Sequence, residues 1–215
     1  AFSHDLRTPL TVIEGHLGIL QKYTPQGKIS VDDAMQTYTA MSGQIERLKN
    51  YASSMNTLQR LEDIPIVRKQ LAANSFTARL GDTAEMICKS KSLTISDKTA
   101  DENIRIDPEI VMQVFENLLS NAARYAKTSI SIQYAVDKET FSITVTDDGE
   151  GFRDTALKSA TNPFYTTEKK SDTVQHFGLG LNICKILCER HGGNILLSND
   201  IKMGASVTAY FGMTE

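Results

Sequence analysis

Three stretches in the second half of the chain carry polar side chains spaced so that they can share a ligand. The first is Glu116-Asn117-Leu118-Leu119-Ser120-Asn121-Ala122-Ala123-Arg124-Tyr125, inside a run with helical periodicity. Asn117 and Asn121 stand four apart and share a helix face, with Arg124 one turn further along. Asparagine is a middling helix former, so two stacked this way mark either a shared polar target or a solvated face. An amide oxygen suits a hard cation such as Mg2+, which keeps waters and takes its other ligands from phosphates. The second stretch, Thr146-Asp147-Asp148-Gly149-Glu150-Gly151-Phe152, follows an alternating strand pattern. An acid at a strand end followed by two glycines lets the backbone turn tightly against a ligand, while the carboxylate accepts a hydrogen bond from, for example, an exocyclic amine. A plain turn is the alternative. A calcium loop does not fit, because Thr144 and Thr146 fall where acids are required. The third stretch, Phe177-Gly178-Leu179-Gly180-Leu181-Asn182-Ile183, opens a helix, and glycines there expose backbone N–H groups to an anion. It is neither a dinucleotide fingerprint, since Ile183 replaces the third small residue, nor a P-loop, since no Gly-Lys-Ser/Thr follows. Cys184 and Cys188 lie four apart on the same helix with His191 nearby. They read either as metal ligands or as buried free thiols, the far commoner case.

A fourth group opens the chain. At about 100° per residue, His4 points roughly 160° away from the Leu6, Leu10, Ile13 stripe and so faces solvent, with Thr8 one turn later on nearly the same side. Such an imidazole is either an ordinary surface residue or a nucleophile placed to meet a ligand held elsewhere.

These groups need elements to position them. Over the first sixty-odd residues the pattern predicts two helices and a turn. Leu6, Leu10, Ile13, Leu17 and Leu20 form the stripe of the first, and Ala34, Tyr38, Met41, Ile45, Leu48, Ala52 and Met55 form a stricter heptad seam on the second. Ser30, with Asp32 and Asp33 in the first turn, predicts the second helix's start. Two helices cannot cover both seams, so the pattern predicts a two-fold dimer closing into a four-helix bundle, or else a hairpin packed on the following domain. After Ile64-Pro65 the texture changes. Short β-type runs at 66–69, 93–95 and 104–106 precede longer alternating ones at 130–134, 141–146, 194–198 and 205–211, with helical stretches near 74–91, 108–126 and 180–191. The expected fold class is α+β, with one mixed sheet covered by helices on one face. Residues 153–177, rich in Thr, Lys, Ser and Asp and weakly periodic, are expected to form a functional lid.

Composition narrows the function classes. Against 23 basic residues stand 26 acidic ones, a balance without the basic surplus that nucleic acid or an anionic membrane would attract. With 40% hydrophobic residues in 215, a real core is expected, as is a chain soluble in its own right. No apolar run reaches the roughly 18 residues of a membrane span. Three cysteines are too few and too irregular for a disulfide scaffold, so a reducing cytoplasm is expected. The chain begins at Ala1 rather than Met, and the expectation is a piece of a longer protein, with the rest of the first helix, a sensor and membrane spans upstream.

An Asn helix, an Asp-x-Gly-x-Gly turn, a polar lid and a Gly-x-Gly helix start, in that order, resemble the ATP-binding domain of sensor histidine kinases, a family in the superfamily of the Hsp90, gyrase and MutL ATPases. Phe2-Ser3-His4-Asp5-Leu6-Arg7-Thr8-Pro9-Leu10 closely resembles the phosphoacceptor box of those kinases. The resemblance implies residues 1–63 as a dimerisation and histidine phosphotransfer hairpin and 66–215 as an α/β sandwich that binds ATP. It implies that Asn121 ligates Mg2+, that Asp147 receives the adenine amine and that Gly149 and Gly151 shape the base pocket. Gly178, Gly180 and Leu181 are implied beside the phosphates. Asn117 and Arg124 match positions facing metal and phosphates, Tyr125 one lining the nucleotide, and Phe164 with Tyr165 an aromatic lid box. Gln175-His176-Phe177 departs from the pattern, standing where many relatives carry more glycine and a Ser or Thr.

The implied activity is autophosphorylation of His4 from ATP, with Asp5 accepting the imidazole N–H, then transfer to an aspartate of a response regulator. Asp5 and Thr8 also match an acid-x-x-Thr pattern associated with regulator phosphatase action. The implied assembly is a homodimer that reaches DNA only through its partner. In the resembling hydrolytic ATPases a Glu stands where this chain has Asn117. An amide is no base, so water attack is expected to be slow. The competing readings are an ATPase driving conformational cycling and a dimeric scaffold with a degenerate pocket.

Overall fold

The computed structural model describes residues 2–99, 102–162, 165, 178–200 and 204–214. It divides into two compact units, residues 1–59 and 60–215.

The first unit is a helical hairpin of α1 (Phe2–Tyr23) and most of α2 (Val31–Asp63). Pro9 lies inside α1 and has no N–H to offer the Asp5 carbonyl, so one helical hydrogen bond is missing near the N-terminal end. The turn leaves α1 through Thr24 N–H to Leu20 O at 3.0 Å and through Gly27 in the left-handed region. The entry to α2 is capped as expected. Ser30 Oγ accepts from the Asp33 amide at 3.0 Å and donates to the Asp33 carboxylate at 2.6 Å, satisfying a donor that would otherwise be orphaned. Among the described side chains of the two seams, Leu20 and Met41 are buried, while Leu10, Leu17, Tyr38 and Ile45 are 41–54% exposed.

The second unit runs β1 (Lys69–Ala72), α3 (Ala73–Ile87), β2 (Ser92–Lys98), β3 (Asn103–Ile106), α4 (Pro108–Tyr125), β4 (Ser129–Asp137), β5 (Thr140–Asp147), α5 (Asp154–Ser159), α6 (Gly180–Arg190), β6 (Ile195–Asn199) and β7 (Ala205–Gly212). Five strands form one mixed sheet in the order β2-β4-β5-β7-β6, with β2 and β4 parallel and the other neighbours antiparallel. The parallel pair requires a crossover, and α4 lies within it. Alternation sets the two faces. Ile130, Ile132 and Tyr134 of β4, Phe141, Ile143 and Val145 of β5, and Val207, Ala209 and Phe211 of β7 are buried, as are inward residues of α3, α4 and α6 such as Phe76, Leu80, Phe115, Leu119 and Leu187. Phe141 packs between Phe76 and Phe211 at ring distances of 6.2 and 6.3 Å. Truncating a phenylalanine so placed costs about 3–5 kcal/mol. The other face is hydroxylic, with Thr144 bonded to Thr208 and Thr146 to Ser206 across the β5–β7 ladder, both at 2.9 Å.

Three elements differ from the sequence expectation. β1 and β3 pair with each other as a separate antiparallel ladder rather than joining the sheet. β1 also starts at Lys69 instead of 66, because the Val67 amide is taken by the Asp107 carboxylate at 2.7 Å and is lost to any ladder. Within the stretch expected to lack regular structure, Asp154–Ser159 form the short helix α5, with Asp154 in the first turn and Lys158 in the last, charges placed to suit the helix dipole. Residues 163–164 and 166–177 of that stretch lie outside the described residues.

Candidate functional site

α4 supplies one wall of the site. Pro108 occupies its first turn, and Asp107 Oδ1 accepts from the Glu109 and Ile110 amides at 3.2 Å, so the helix has a firm start. Val111, Phe115, Leu118, Leu119 and Ala122 are buried, which turns Asn117, Asn121, Arg124 and Tyr125 toward a cavity of about 740 Å3. Such a volume holds a drug-sized or nucleotide-sized ligand. Asn117 Nδ2 donates to the Gln113 carbonyl at 2.8 Å, which fixes the amide's orientation.

α6 meets this wall end on. A methyl at Gly180 would lie 3.4 Å from Asn117 Oδ1 and 3.5 Å from Asn121 Nδ2, so both amides converge on the helix's first residue. Leu179 provides no side-chain cap there, and Leu179, Gly180 and Leu181 at the start of α6 line the cavity. Gly178 has φ +63°, and any side chain on it would run into the Tyr165 carbonyl.

The end of β5 supplies the opposite wall. Asp147 is buried, and its Oδ1 accepts from the Gly149 amide at 2.8 Å and the Ala205 amide at 3.4 Å. Burial pushes its carboxyl above the ordinary aspartate value, outweighing those hydrogen bonds. Val145, Ala205 and Val207 make the floor apolar. Asp148 behaves in the opposite way. It turns from the cavity and accepts from Thr128 Oγ1 at 2.6 Å and from the Lys127, Thr128 and Ser129 amides at 2.7–3.0 Å, which holds its carboxyl well below the usual range.

Among the residues expected from sequence, Asn117, Asn121, Arg124, Tyr125, Asp147, Gly151, Gly178, Gly180 and Leu181 all line this one cavity. Gly149 lies behind Asp147, against the Tyr125 carbonyl. Phe164 lies outside the described residues, and so do the side chains of His4 and Asp5, whose backbone is helical in α1. Thr8 is exposed on α1. Cys184 and Cys188 are buried on the core side of α6, where burial pushes the Cys188 thiol up to about 12 and that of Cys184 well above its ordinary value.

Supporting residues were missed by sequence reasoning. Gly204 donates its amide to the Asp147 carbonyl at 2.6 Å, and a methyl there would come within 2.6 Å of Gly149 N and 2.8 Å of Asp147 Oδ1. Asn199 clamps the Gly-x-Gly turn, accepting from the Phe152 amide at 2.7 Å and donating to its carbonyl at 2.8 Å. Asn182 donates to the Thr161 carbonyl at 2.8 Å and ties α6 to the end of the α5 segment. Lys127 and Arg153 add cationic charge to the cavity wall beside Arg124.

Residues 106–215, more than half of the chain, match the family described as histidine kinase-, DNA gyrase B- and HSP90-like ATPases, and residues 1–64 match the His kinase A phosphoacceptor domain. The chain belongs to the sensor histidine kinase family. Its cavity lies in the ATPase domain of that family, so the domain is an ATP-binding one. The chain is 28% identical over 214 residues to the sensor histidine kinase SpaK of Bacillus subtilis, covering 96% of this chain and 45% of that protein. It is 29% identical over 216 residues to the signal transduction histidine-protein kinase BaeS of Escherichia coli, covering 96% and 44%. The chain thus spans less than half the length of these curated relatives. In fold it resembles the histidine kinase AdeS of Acinetobacter baumannii, with a TM-score of 0.61 at 20% identity over 99% of this chain and 98% of that one. It also resembles the catalytic domain of the histidine kinase ThkA, with a TM-score of 0.59 at 21% identity over 69% and 97%. Among the described residues no helix is long and apolar enough to cross a membrane.

Proposed function

We propose that this chain is the catalytic core of a sensor histidine kinase that phosphorylates its own His4 from ATP and passes the phosphoryl group to an aspartate of a response regulator. The observation that carries this reading is the convergence of Asn117, Asn121 and Gly180 on one side of a cavity whose other side is the buried Asp147, in a chain that also carries the His4-Asp5-x-x-Thr8-Pro9 helix. Asp147 would receive the adenine amine, Tyr125 would line the base, and Arg124 with the amides of α6 would hold the phosphates. Residues 1–63 would form the phosphoacceptor and dimerisation hairpin and 66–215 the ATP-binding domain, with a lid at about 153–177 that includes Phe164.

The donor set fits Mg2+. Asn121 presents a hard amide group beside Gly180, where the lack of a side chain leaves room for phosphates and an ion. When bound, Mg2+ offsets the negative charge of the phosphates. The chain's own residues position the reaction. The lone-pair nitrogen of the His4 imidazole forms the N–P bond as the bond from the γ-phosphorus to the bridging oxygen breaks and ADP leaves. On family resemblance the Asp5 carboxylate would accept a hydrogen bond from the N–H of the other ring nitrogen, which fixes the tautomer and raises nucleophilicity. Thr8 would orient a water for the reverse, phosphatase reaction.

Support for transfer over hydrolysis comes from the same helix. Asn117, which lines the cavity, is an amide and no base, while Glu116 next to it is exposed and is not among the lining residues. An amide at that position cannot take the proton of an attacking water. The protein would work as a homodimer in the cytoplasm, where ATP and receiver domains are found. The test is labelling with γ-labelled magnesium ATP. The reading expects an acid-labile, base-stable phosphoryl linkage on the protein, and steady phosphate release with no labelled protein would support a cycling ATPase instead.

A further inference from the structure

A short link, residues 126–128, leads from the end of α4 to the start of β4 and so joins the wall that carries Tyr125 to the sheet that carries Asp147. Ala126 takes the chain out of the helix into an extended conformation. A helix end leaves carbonyls without intrahelical donors. Lys91, in the turn after α3, serves this region. Its Nζ donates to the Ala126 carbonyl at 2.6 Å and to the Lys127 carbonyl at 3.1 Å, a cation placed where the helix dipole favours one. From the other side a single carboxylate collects the donors. Asp148 accepts from the Lys127 amide at 2.7 Å, from the Thr128 amide on both oxygens at 3.0 Å, from the Ser129 amide at 3.0 Å and from Thr128 Oγ1 at 2.6 Å. The Thr128 carbonyl accepts from the Ser92 amide at 2.8 Å, and the Asp148 amide donates to the Ser129 carbonyl at 3.2 Å. One ammonium and one carboxylate, from distant parts of the sequence, therefore grip the link from both sides.

The grip bears on the gap between Tyr125 and Asp147. Any side chain on Gly149 would run into the Tyr125 carbonyl, so the Asp147-Asp148-Gly149 turn already lies against the last turn of α4. Tyr125 is 47% exposed, so burial alone does not fix it, and its place follows from the backbone that the link holds. Tyr125, Lys127 and Asp147 line the cavity, whereas Lys91 and Asp148 do not, and these two reach a ligand only through the residues they hold. Supporting hydrogen bonds of this kind fix a ligand's position more closely than the cavity's volume does. Adenine and guanine fill such a gap equally well but differ along the edge that would meet Asp147. Adenine has an amine at C6, where guanine has a carbonyl oxygen, with guanine's own donors on the adjoining ring positions. An ionised carboxylate only accepts. With the base held in one place, Asp147 accepts adenine's amine and faces guanine's oxygen. A base free to slide in the gap would bring guanine's donors to the same carboxylate.

We propose that Lys91 and Asp148 are positioning residues that fix the gap between Tyr125 and Asp147 and so make the cavity select adenine over guanine. This rests on the reading of Asp147 as the acceptor of the base amine. The test measures displacement of a fluorescent ATP analogue by magnesium ATP and by magnesium GTP. It compares the whole chain with Lys91→Met and Asp148→Ala, and with the conservative Lys91→Arg and Asp148→Asn, which keep a cationic donor and an acceptor oxygen. The wild-type chain should prefer ATP by about tenfold or more. In Lys91→Met and in Asp148→Ala the ratio of the two affinities should narrow by at least about threefold, because GTP gains relative to ATP. The conservative variants should recover most of the ratio. A ratio that stays at the wild-type value, including one in which both affinities fall in equal proportion as general loosening would cause, overturns the proposal. So do conservative variants that recover none of it. Should Asp148→Ala fail to fold, Lys91→Met alone decides, with the same outcomes. Failure of the underlying reading is distinguishable, since then the wild-type chain itself binds GTP as well as ATP, or Asp147→Asn leaves ATP affinity unchanged.

Discussion

Asp147 and Asp148 are neighbours that the fold drives in opposite directions. Burial raises the carboxyl of Asp147, whereas the hydroxyl and amides of residues 127–129 lower that of Asp148. The first is left facing the cavity and the second pins the start of β4. The sequence marks Asp147 through the strand end and the glycines after it. The role of Asp148 was illegible because its partners lie about twenty residues upstream and meet it only once β4 and β5 pair in register. Gly204 and Asn199 were illegible for the same reason, since each serves the Asp147 turn from more than forty residues away. Asp147→Asn should weaken ATP-analogue binding about tenfold or more, the value of a hydrogen bond to a charged acceptor. Its melting temperature should stay near that of the wild-type chain. Because the ionised form accepts the amine and burial raises the pKa, affinity should begin to fall at a higher pH than an ordinary aspartate would dictate. Calorimetric titrations between pH 8 and 5 would show it.

At the scale of elements, strands with clean alternation were legible, because one face must be buried and the other wetted. β5 and β7 fall within a residue of their predicted places, while β4 starts one residue earlier and ends three later than expected. β1 and β3 were expected as short β-type runs, but four residues each, half of them polar, do not say which strand they will pair with, and a side-chain acceptor at Asp107 shifted the start of β1. α5 escaped notice because six residues show too little of a helical period. The junction of α4, α6 and β7 around His191 carries a pH prediction. Burial, and secondarily the Arg68 charge, lower the imidazole pKa below its ordinary 6.5, and Nε2 must stay unprotonated to accept the Asp107 amide. A base with a depressed folded pKa contributes stability that is present above the unfolded value and lost as pH falls through the folded one. Thermal stability should therefore decline from about pH 6.5 downward. In His191→Gln, which retains an acceptor but does not titrate, that part of the decline should vanish.

For the whole molecule, the two helical seams make the assembly prediction. Leu10, Leu17, Tyr38 and Ile45 are exposed on the hairpin of a single chain, an apolar surface that a second copy would cover in a four-helix arrangement. Sedimentation should find a dimer at micromolar concentration, and Leu17→Glu/Ile45→Glu should shift it to monomer while leaving ATP-analogue affinity in the second unit intact. A monomeric wild-type chain would contradict that part of the account.

The central claim is that ATP held between Asn121 and Asp147 phosphorylates His4, and one comparison tests it most directly. Wild-type chain and His4→Gln are incubated with γ-labelled magnesium ATP, and protein-bound label and ATP-analogue affinity are measured for both. The account predicts acid-labile label on the wild type, none on His4→Gln, and equal affinity. Label that persists on His4→Gln at the wild-type level would contradict it.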